Sequence, residues 1–224
     1  MHELKRTLVS WFIVTWSIIL CRIELEPLSW VPRKGPLIIT LNHIGSLEVP
    51  LLAAHLQPRR TIGLAKIETW NNKFMGWLFD LWDAIPIRRG EVDHRAIKSC
   101  VNVLHFGDML MVAPEGTRSN DGRLQRGRPG ISLIALQSGA PILPIVHWGG
   151  EKFGSNIKKF KRTDFHIRVG KQFTLDTNGI KVSSKIRQEM TDEIMCQLAV
   201  LMPEEYRGEY KNCDPPPTKY LRFA

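Results

Sequence analysis

Leu37-Ile38-Ile39-Thr40-Leu41-Asn42-His43-Ile44-Gly45-Ser46-Leu47-Glu48 is the stretch on which the fold of this chain turns. Met109-Leu110-Met111-Val112-Ala113-Pro114-Glu115-Gly116-Thr117-Arg118-Ser119 repeats its plan. Each opens on a short apolar run of the kind buried on both faces of a sheet. Each then breaks into a polar loop, at the carboxyl end of its strand, where open α/β sheets hold their ligands. The first loop offers an imidazole with a carboxylate five residues on. The second offers a glycine-permitted turn followed by a guanidinium. Together they describe a base that takes a proton beside a cation that holds an anion.

Working outward, the same alternation recurs. Residues 61–65 read as a strand ending at Lys66, and residues 84–87 as one delivering Arg88 and Arg89. Ser46 is expected to cap a helix starting near Leu47. Residues 92–105 form a helical pattern with Ile97, Cys100, Val101 and Leu104 inward and Gly107 beyond its end. Residues 129–138 are a helix opened by proline and closed by Gly139, and residues 142–146 another buried strand. This β–α order predicts an α/β fold, a mostly parallel central sheet flanked by helices. After His147 the pattern loosens. Phe165, Ile167 and Val169 alternate as a half-buried strand, with residues 173–175 its expected partner. Ser183 or Ser184 caps a long helix to about Met202. The expected organisation is an N-terminal membrane-associated helix with a proline-rich linker (residues 1–35), an α/β body (36–210) and an irregular tail (211–224), with residues 214–217 irregular.

The 224 residues, 43% of them hydrophobic, suffice for one full core, and the net charge of +9 favours an anionic partner. A phospholipid surface, nucleic acid or a phosphorylated substrate would each answer to that charge. No nucleic-acid-binding signature accompanies it, so nucleic acid is not expected. Cys21, Cys100, Cys196 and Cys213 form no Cys-x-x-Cys. Neither metal nor redox motif is therefore expected, and reduced thiols in a cytosolic setting are the default.

Residues 7–21 carry no charge and include Trp11 and Trp16, with Lys5, Arg6 and Arg22 at the flanks. As a helix this run is about 23 Å long at ~1.5 Å per residue, against a hydrocarbon core of ~30 Å. A cleaved signal peptide lacks its small-residue site, and a spanning helix needs a thinned bilayer. A helix lying in one leaflet, on the cytoplasmic face of the inner or plasma membrane, is the favoured reading, set against an ordinary core helix. In residues 68–82, Trp70, Phe74, Trp77, Leu78, Leu81 and Trp82 share one helical side, as core or as a lipid-facing surface. Lys158, Lys159, Lys161 and Arg162 surround Phe160; a solvated turn is the simpler reading and a headgroup patch the functional one.

These motifs in this order resemble the glycerolipid acyltransferases of the lysophosphatidic acid acyltransferase family. The family pattern Asn-His-x-x-x-x-Asp is similar to Asn42-His43 through Glu48, with Glu48 standing where Asp is usual. Glu-Gly-Thr-Arg matches Glu115-Gly116-Thr117-Arg118. Ile85-Pro86-Ile87-Arg88-Arg89-Gly90 resembles the second block, with Arg89 as its arginine, and Gly139-Ala140-Pro141-Ile142-Leu143-Pro144-Ile145 the fourth. The four blocks span roughly half the chain. The resemblance implies direct acyl transfer from acyl-CoA or acyl carrier protein, without further cofactor, to lysophosphatidic acid at a membrane surface, giving phosphatidic acid. Another lysophospholipid or glycerol 3-phosphate as acceptor, or a non-catalytic lipid-binding protein, are the alternatives.

The residues suit that chemistry. An alcohol attacking a thioester loses its proton as the bond forms, and His43 is the expected general base. Glu48 is expected to fix its tautomer and stabilise the imidazolium. Arg118 and Arg89 supply forked donors for phosphate, and Lys66 a point charge. Glu115 is expected to accept a hydrogen bond from an acceptor hydroxyl or from the turn backbone, where Gly116 permits the geometry and Thr117 leads to Arg118. No Gly-x-Ser-x-Gly elbow, P-loop or His-Glu-x-x-His sequence competes with this reading.

Overall fold

Among the described residues nine strands, in the order β1-β7-β6-β2-β5-β3-β4 with β8 bridging β6 and β9, form one sheet. The structure is a computed structural model describing residues 2–223 except 46, 47, 89, 91, 92 and 120. The strands are β1 (Cys21–Ile23), β2 (Leu37–Leu41), β3 (Thr61–Lys66), β4 (Ile85–Ile87), β5 (Met109–Val112), β6 (Ile142–Trp148), β7 (Thr163–Val169), β8 (Phe173–Leu175) and β9 (Leu221–Phe223). The block β6-β2-β5-β3-β4 is parallel throughout. β7 runs antiparallel to β6, and β1 parallel to β7. The mostly parallel α/β architecture is therefore as the β–α alternation predicts.

Every residue of β2 is buried, because helices cover both faces of the sheet. Alternation sends Ile38 to one face and Leu37, Ile39 and Leu41 to the other. Ile38 packs with Ile62, Leu110, Cys100, Ile131 and Ile194, which brings in α4 (His94–His105), α5 (Gly130–Ser138) and α7 (Ser184–Ala199). On the opposite face Ile39 and Leu41 meet Leu51 and Leu52 of α2 (Glu48–His55), with Met111, Ile145 and Phe165. Local signals set the ends. Asp93 caps α4 and Ser183 caps α7 through side-chain oxygens, and Gly139 closes α5 in the left-handed region. The expected cap at Ser46 and start at Leu47 lie outside the described residues.

Several expectations are corrected. The apolar N-terminal run is helical as α1 (His2–Leu20), but Cys21 leaves the helix and joins the sheet through β1. The proline-rich stretch after it is no loose linker. Residues Glu26–Trp30 form a 3-10 turn, and the Arg59 guanidinium donates to the carbonyls of Pro32 and Gly35. Residues 68–82 break into a 3-10 turn and α3 (Lys73–Leu81), because Asn72 caps a new helix. β8 pairs with β6 and β9, not with β7. The tail is not irregular to its end. Tyr220 is fully buried, and β9 adds a strand. Finally, Cys196 and Cys213 form a disulfide, while Cys21 and Cys100 remain free and buried. A 17-residue separation hid that pair, since the chain after α7 doubles back onto it.

α1 is inverted relative to an ordinary surface helix. Three of its polar side chains face the protein, although Glu3, Lys5, Thr7 and Thr15 are exposed: Arg6 and Ser10 are buried, Arg6 sits 3.8 Å from Asp83, and Ser17 Oγ lies 3.1 Å from His55 Nε2 of α2. Its apolar side faces outward, with Leu8, Trp11, Phe12, Trp16 and Ile19 exposed, Trp11 by 73%. A core helix would show the reverse. Phe74 and Trp77 of α3 are exposed as well. No helix among the described residues is long and apolar enough to cross a membrane.

Candidate active site

The first and third sequence blocks become adjacent loops because their strands, β2 and β5, are adjacent and parallel, while the fourth block forms β6 on the other side of β2. β5 lies beside β2 with Ile39 opposite Met111, and β6 on its other side with Leu41 opposite Ile145. Residues 42–45 and 113–119 therefore leave the sheet side by side at its carboxyl edge. The backbone N–H of Ser119 donates to the His43 carbonyl at 2.9 Å, joining the loops directly.

His43 and Glu48 meet as the five-residue spacing predicts. Glu48 opens α2, and its Oε1 lies 2.6 Å from His43 Nδ1 and accepts the Gly45 N–H at 3.0 Å. A neutral ring that donates Nδ1–H to this carboxylate leaves Nε2 as an acceptor. Burial opposes ionisation of Glu48. The hydrogen bond from His43, with smaller help from its own backbone amide, overrides burial and holds the carboxyl at about 2. Glu48 is almost wholly buried, and His43 is mostly so.

Glu115 is the opposite case. Burial raises its carboxyl to about 7, with the charges of Glu48 and Asp121 adding to the rise. Its Oε1 accepts the His43 N–H at 2.8 Å and its Oε2 the Gln125 N–H at 2.9 Å. Both partners are backbone N–H groups outside its own turn, one in the His43 loop and one at residue 125. Glu115 clamps the His43 loop to the segment that follows the Gly116 turn. Gly116 has φ +69°, and a Cβ there would meet Arg128 Cδ at 3.0 Å, so both conformation and space call for glycine.

Of the expected anion-binding residues, Thr117, Arg118 and Lys66 follow the carboxyl ends of β5 and β3. Arg118 is exposed on the turn after β5, and Thr117 is half-buried beside it. Lys66 is exposed at the end of β3, next to β5 in the sheet. Arg89 lies outside the described residues; Arg88, exposed at the end of β4, donates its N–H to Asp93. No grouping of His, Cys, Asp and Glu suited to a metal ion occurs among the described residues. A cavity of about 550 Å³ lies elsewhere, between the end of α1 and β7, with Ile18, Leu25, Arg162 and His166 in its walls.

Sequence reading missed three supports. His147, at the end of β6, is buried, and burial pushes its imidazole below the usual range. Asn42 Nδ2 donates to the His147 carbonyl at 2.9 Å, Asn42 Oδ1 accepts the His147 N–H at 3.0 Å, and His147 Nε2 donates to the Asn42 carbonyl at 2.9 Å. Three buried hydrogen bonds thus fix the residue before His43. The second support is the C-terminal segment. Tyr206 lies over Gly122, its carbonyl accepts the Leu124 N–H, and the Tyr210 hydroxyl accepts the Gly127 N–H and donates to Asp192. The third is Arg128, packed on Gly116. Only His147 had a local signal, a polar residue closing a buried apolar strand.

The fold is thus an α/β protein whose parallel sheet presents a histidine–carboxylate couple and a glycine turn at its carboxyl edge. Residues 22–148, more than half of the chain, match the family described as Acyltransferase, and the chain belongs to that family. It is 30% identical over 147 residues to a lyso-ornithine lipid O-acyltransferase of Pseudomonas aeruginosa, covering 64% of this chain and 54% of that one. It is 29% identical over 141 residues to a 1-acyl-sn-glycerol-3-phosphate acyltransferase of Bacillus subtilis, covering 62% and 68%. The crystal structure of the 1-acyl-sn-glycerophosphate acyltransferase PlsC from Thermotoga maritima shares the fold, with a TM-score of 0.55 and 21% identity over 84% of this chain and 76% of that one. The chain spans about half or less of the length of the first curated relatives it matches.

Proposed function

We propose that this protein moves a fatty acyl group from an acyl thioester, on coenzyme A or acyl carrier protein, to the free hydroxyl of lysophosphatidic acid, giving phosphatidic acid. The observation that carries the reading is the 2.6 Å contact between His43 Nδ1 and Glu48 Oε1 at the carboxyl edge of β2. His43 Nε2 takes the hydroxyl proton as the oxygen attacks the thioester carbonyl. Glu48 steadies the resulting imidazolium. The tetrahedral intermediate collapses, the carbon–sulfur bond breaks, and the proton passes from His43 to the leaving thiolate. Arg118, Lys66 and Arg89 hold the phosphate, while Glu115 and Asn42 keep the two loops in register. α1 lies in one leaflet, on the cytoplasmic face, with Trp11, Phe12 and Trp16 at the interface.

A second acceptor has a specific observation in its favour, since the relative that is 30% identical carries the name of a lyso-ornithine lipid enzyme. The test is thiol release by purified protein from acyl-CoA or acyl carrier protein, with lysophosphatidic acid or lyso-ornithine lipid as acceptor and His43→Ala as control. Release that requires lysophosphatidic acid and vanishes in His43→Ala is expected. Release with the ornithine lipid alone replaces the acceptor. No release with any pair leaves a lipid-binding protein.

A further inference from the structure

The turn after α6 (Phe153–Ile157) is built firmly around an apolar tip that the site does not use. The Asn156 carbonyl accepts the N–H groups of both Lys159 and Lys161 at 2.9 Å, and Asn156 Nδ2 donates to Thr163 Oγ1 at 3.1 Å. At its apex Phe160 is 101% exposed and has φ +53°. Asn or Gly would adopt that backbone more readily and leave no apolar surface in water, so local folding does not account for a phenylalanine. Lys158, Lys159, Lys161 and Arg162 flank it, all exposed, and Ile157 is exposed at its base. The Arg162 guanidinium donates to the Ile18 and Cys21 carbonyls, tying the turn to the last residues of α1, where Ile18 and Ile19 face outward.

We propose that this turn is a second docking element for an anionic bilayer, with Phe160 entering the interface and Lys158, Lys159 and Lys161 lying against lipid phosphates. An aromatic tip ringed by cations is complementary to such a surface in both respects: the ring leaves water and the ammonium groups meet fixed negative charge. Its tether to α1 puts the two elements at one end of the molecule. The proposal extends the membrane reading of α1 and does not depend on acyl transfer.

The test titrates the full-length protein with phosphatidylcholine vesicles with and without phosphatidylglycerol. Neutralising the three lysines (Lys158→Gln, Lys159→Gln, Lys161→Gln) is expected to weaken binding to the anionic vesicles roughly 100-fold and to leave the neutral ones little changed. Phe160→Asn, which suits the positive φ, is expected to weaken binding to both about tenfold. A Trp11→Ser, Phe12→Ser variant tests α1 separately. Loss of binding in that variant alone, with both turn variants binding as the parent, overturns the proposal and leaves the α1 reading intact. Loss in the turn variants alone supports the proposal and removes α1. In a parallel titration with duplex DNA, weakened DNA binding of the lysine variant together with parent-like binding to anionic vesicles overturns it in favour of a nucleic-acid contact.

Discussion

Replacing Glu48 by Gln keeps the shape of the side chain that touches His43 and removes its charge. In the folded protein the Glu48 carboxyl sits at about 2 instead of the ordinary 4.5, a preference for the ionised form of about 3 kcal/mol at ~1.36 kcal/mol per unit. Its folded value is depressed, so this stabilisation is present above pH 4.5 and is lost as pH falls through about 2. On the proposed mechanism the same anion faces the imidazole as it takes up the substrate proton, and its loss is expected to raise the barrier by a comparable amount. Glu48→Gln is therefore expected to lower kcat about 100-fold, with KM for the lipid little changed. Glu48→Asp should fall between. It keeps the charge but draws the oxygen back by about 1.5 Å, one carbon–carbon bond, from the present 2.6 Å contact. Thiol release from acyl-CoA across pH 5–9 measures all three proteins. A Gln variant as fast as the parent, or faster than the Asp variant, refutes the assignment of Glu48 as the charge that acts on His43.

Three further outcomes follow from the surroundings. His147→Leu removes the donor to the Asn42 carbonyl and should cost about 1–3 kcal/mol in urea unfolding, while His147→Gln, whose amide nitrogen reaches the same place, should recover most of it and of kcat. Glu115 titrates oppositely to Glu48: its folded value of about 7 exceeds 4.5, so its contribution is full below pH 4.5 and is lost as pH rises through 7, up to about 3 kcal/mol. A falling urea midpoint between pH 5 and 8 that flattens in Glu115→Gln checks this. Cys213→Ser opens a loop closed over a separation of 17 residues and should lower stability by about 3 kcal/mol, an effect that reductant reproduces in the parent but not in the variant.

How much of this was legible in the sequence depends on how far apart the interacting residues lie. His43 and Glu48 are five residues apart on a strand-to-helix turn, so their meeting follows from local geometry. The strands themselves are read from runs such as Ile38–Ile39 and Leu110–Met111, which no exposed segment would carry. The placement of Lys66 beside the Arg118 turn instead depends on the strand order β2-β5-β3, and pattern alone does not supply that order. The Asn42–His147 lock joins residues 105 positions apart and has no local signature beyond one polar residue in an apolar strand. The return of the tail onto the 122–127 loop, with its disulfide and with β9, is a product of tertiary packing in the same way.

α1 shows why periodicity gives two faces but not their direction. The repeat of Leu8, Trp11, Phe12, Trp16 and Ile19 marks one stripe, and ordinary practice turns such a stripe inward. Here the neighbours decide otherwise. α2 offers His55 and the end of α3 leads to Asp83, which match Ser17 and Arg6 and have nothing to give an aromatic stripe. Arg6 cannot face a hydrocarbon phase cheaply, whereas Trp11 and Phe12 can. Burying the arginine against Asp83 and leaving the aromatics outside suits the proposed membrane surface better than water. The inverted helix and the exposed Phe160 both suit the anionic bilayer proposed above, and vesicle binding is the measurement that tests each of them.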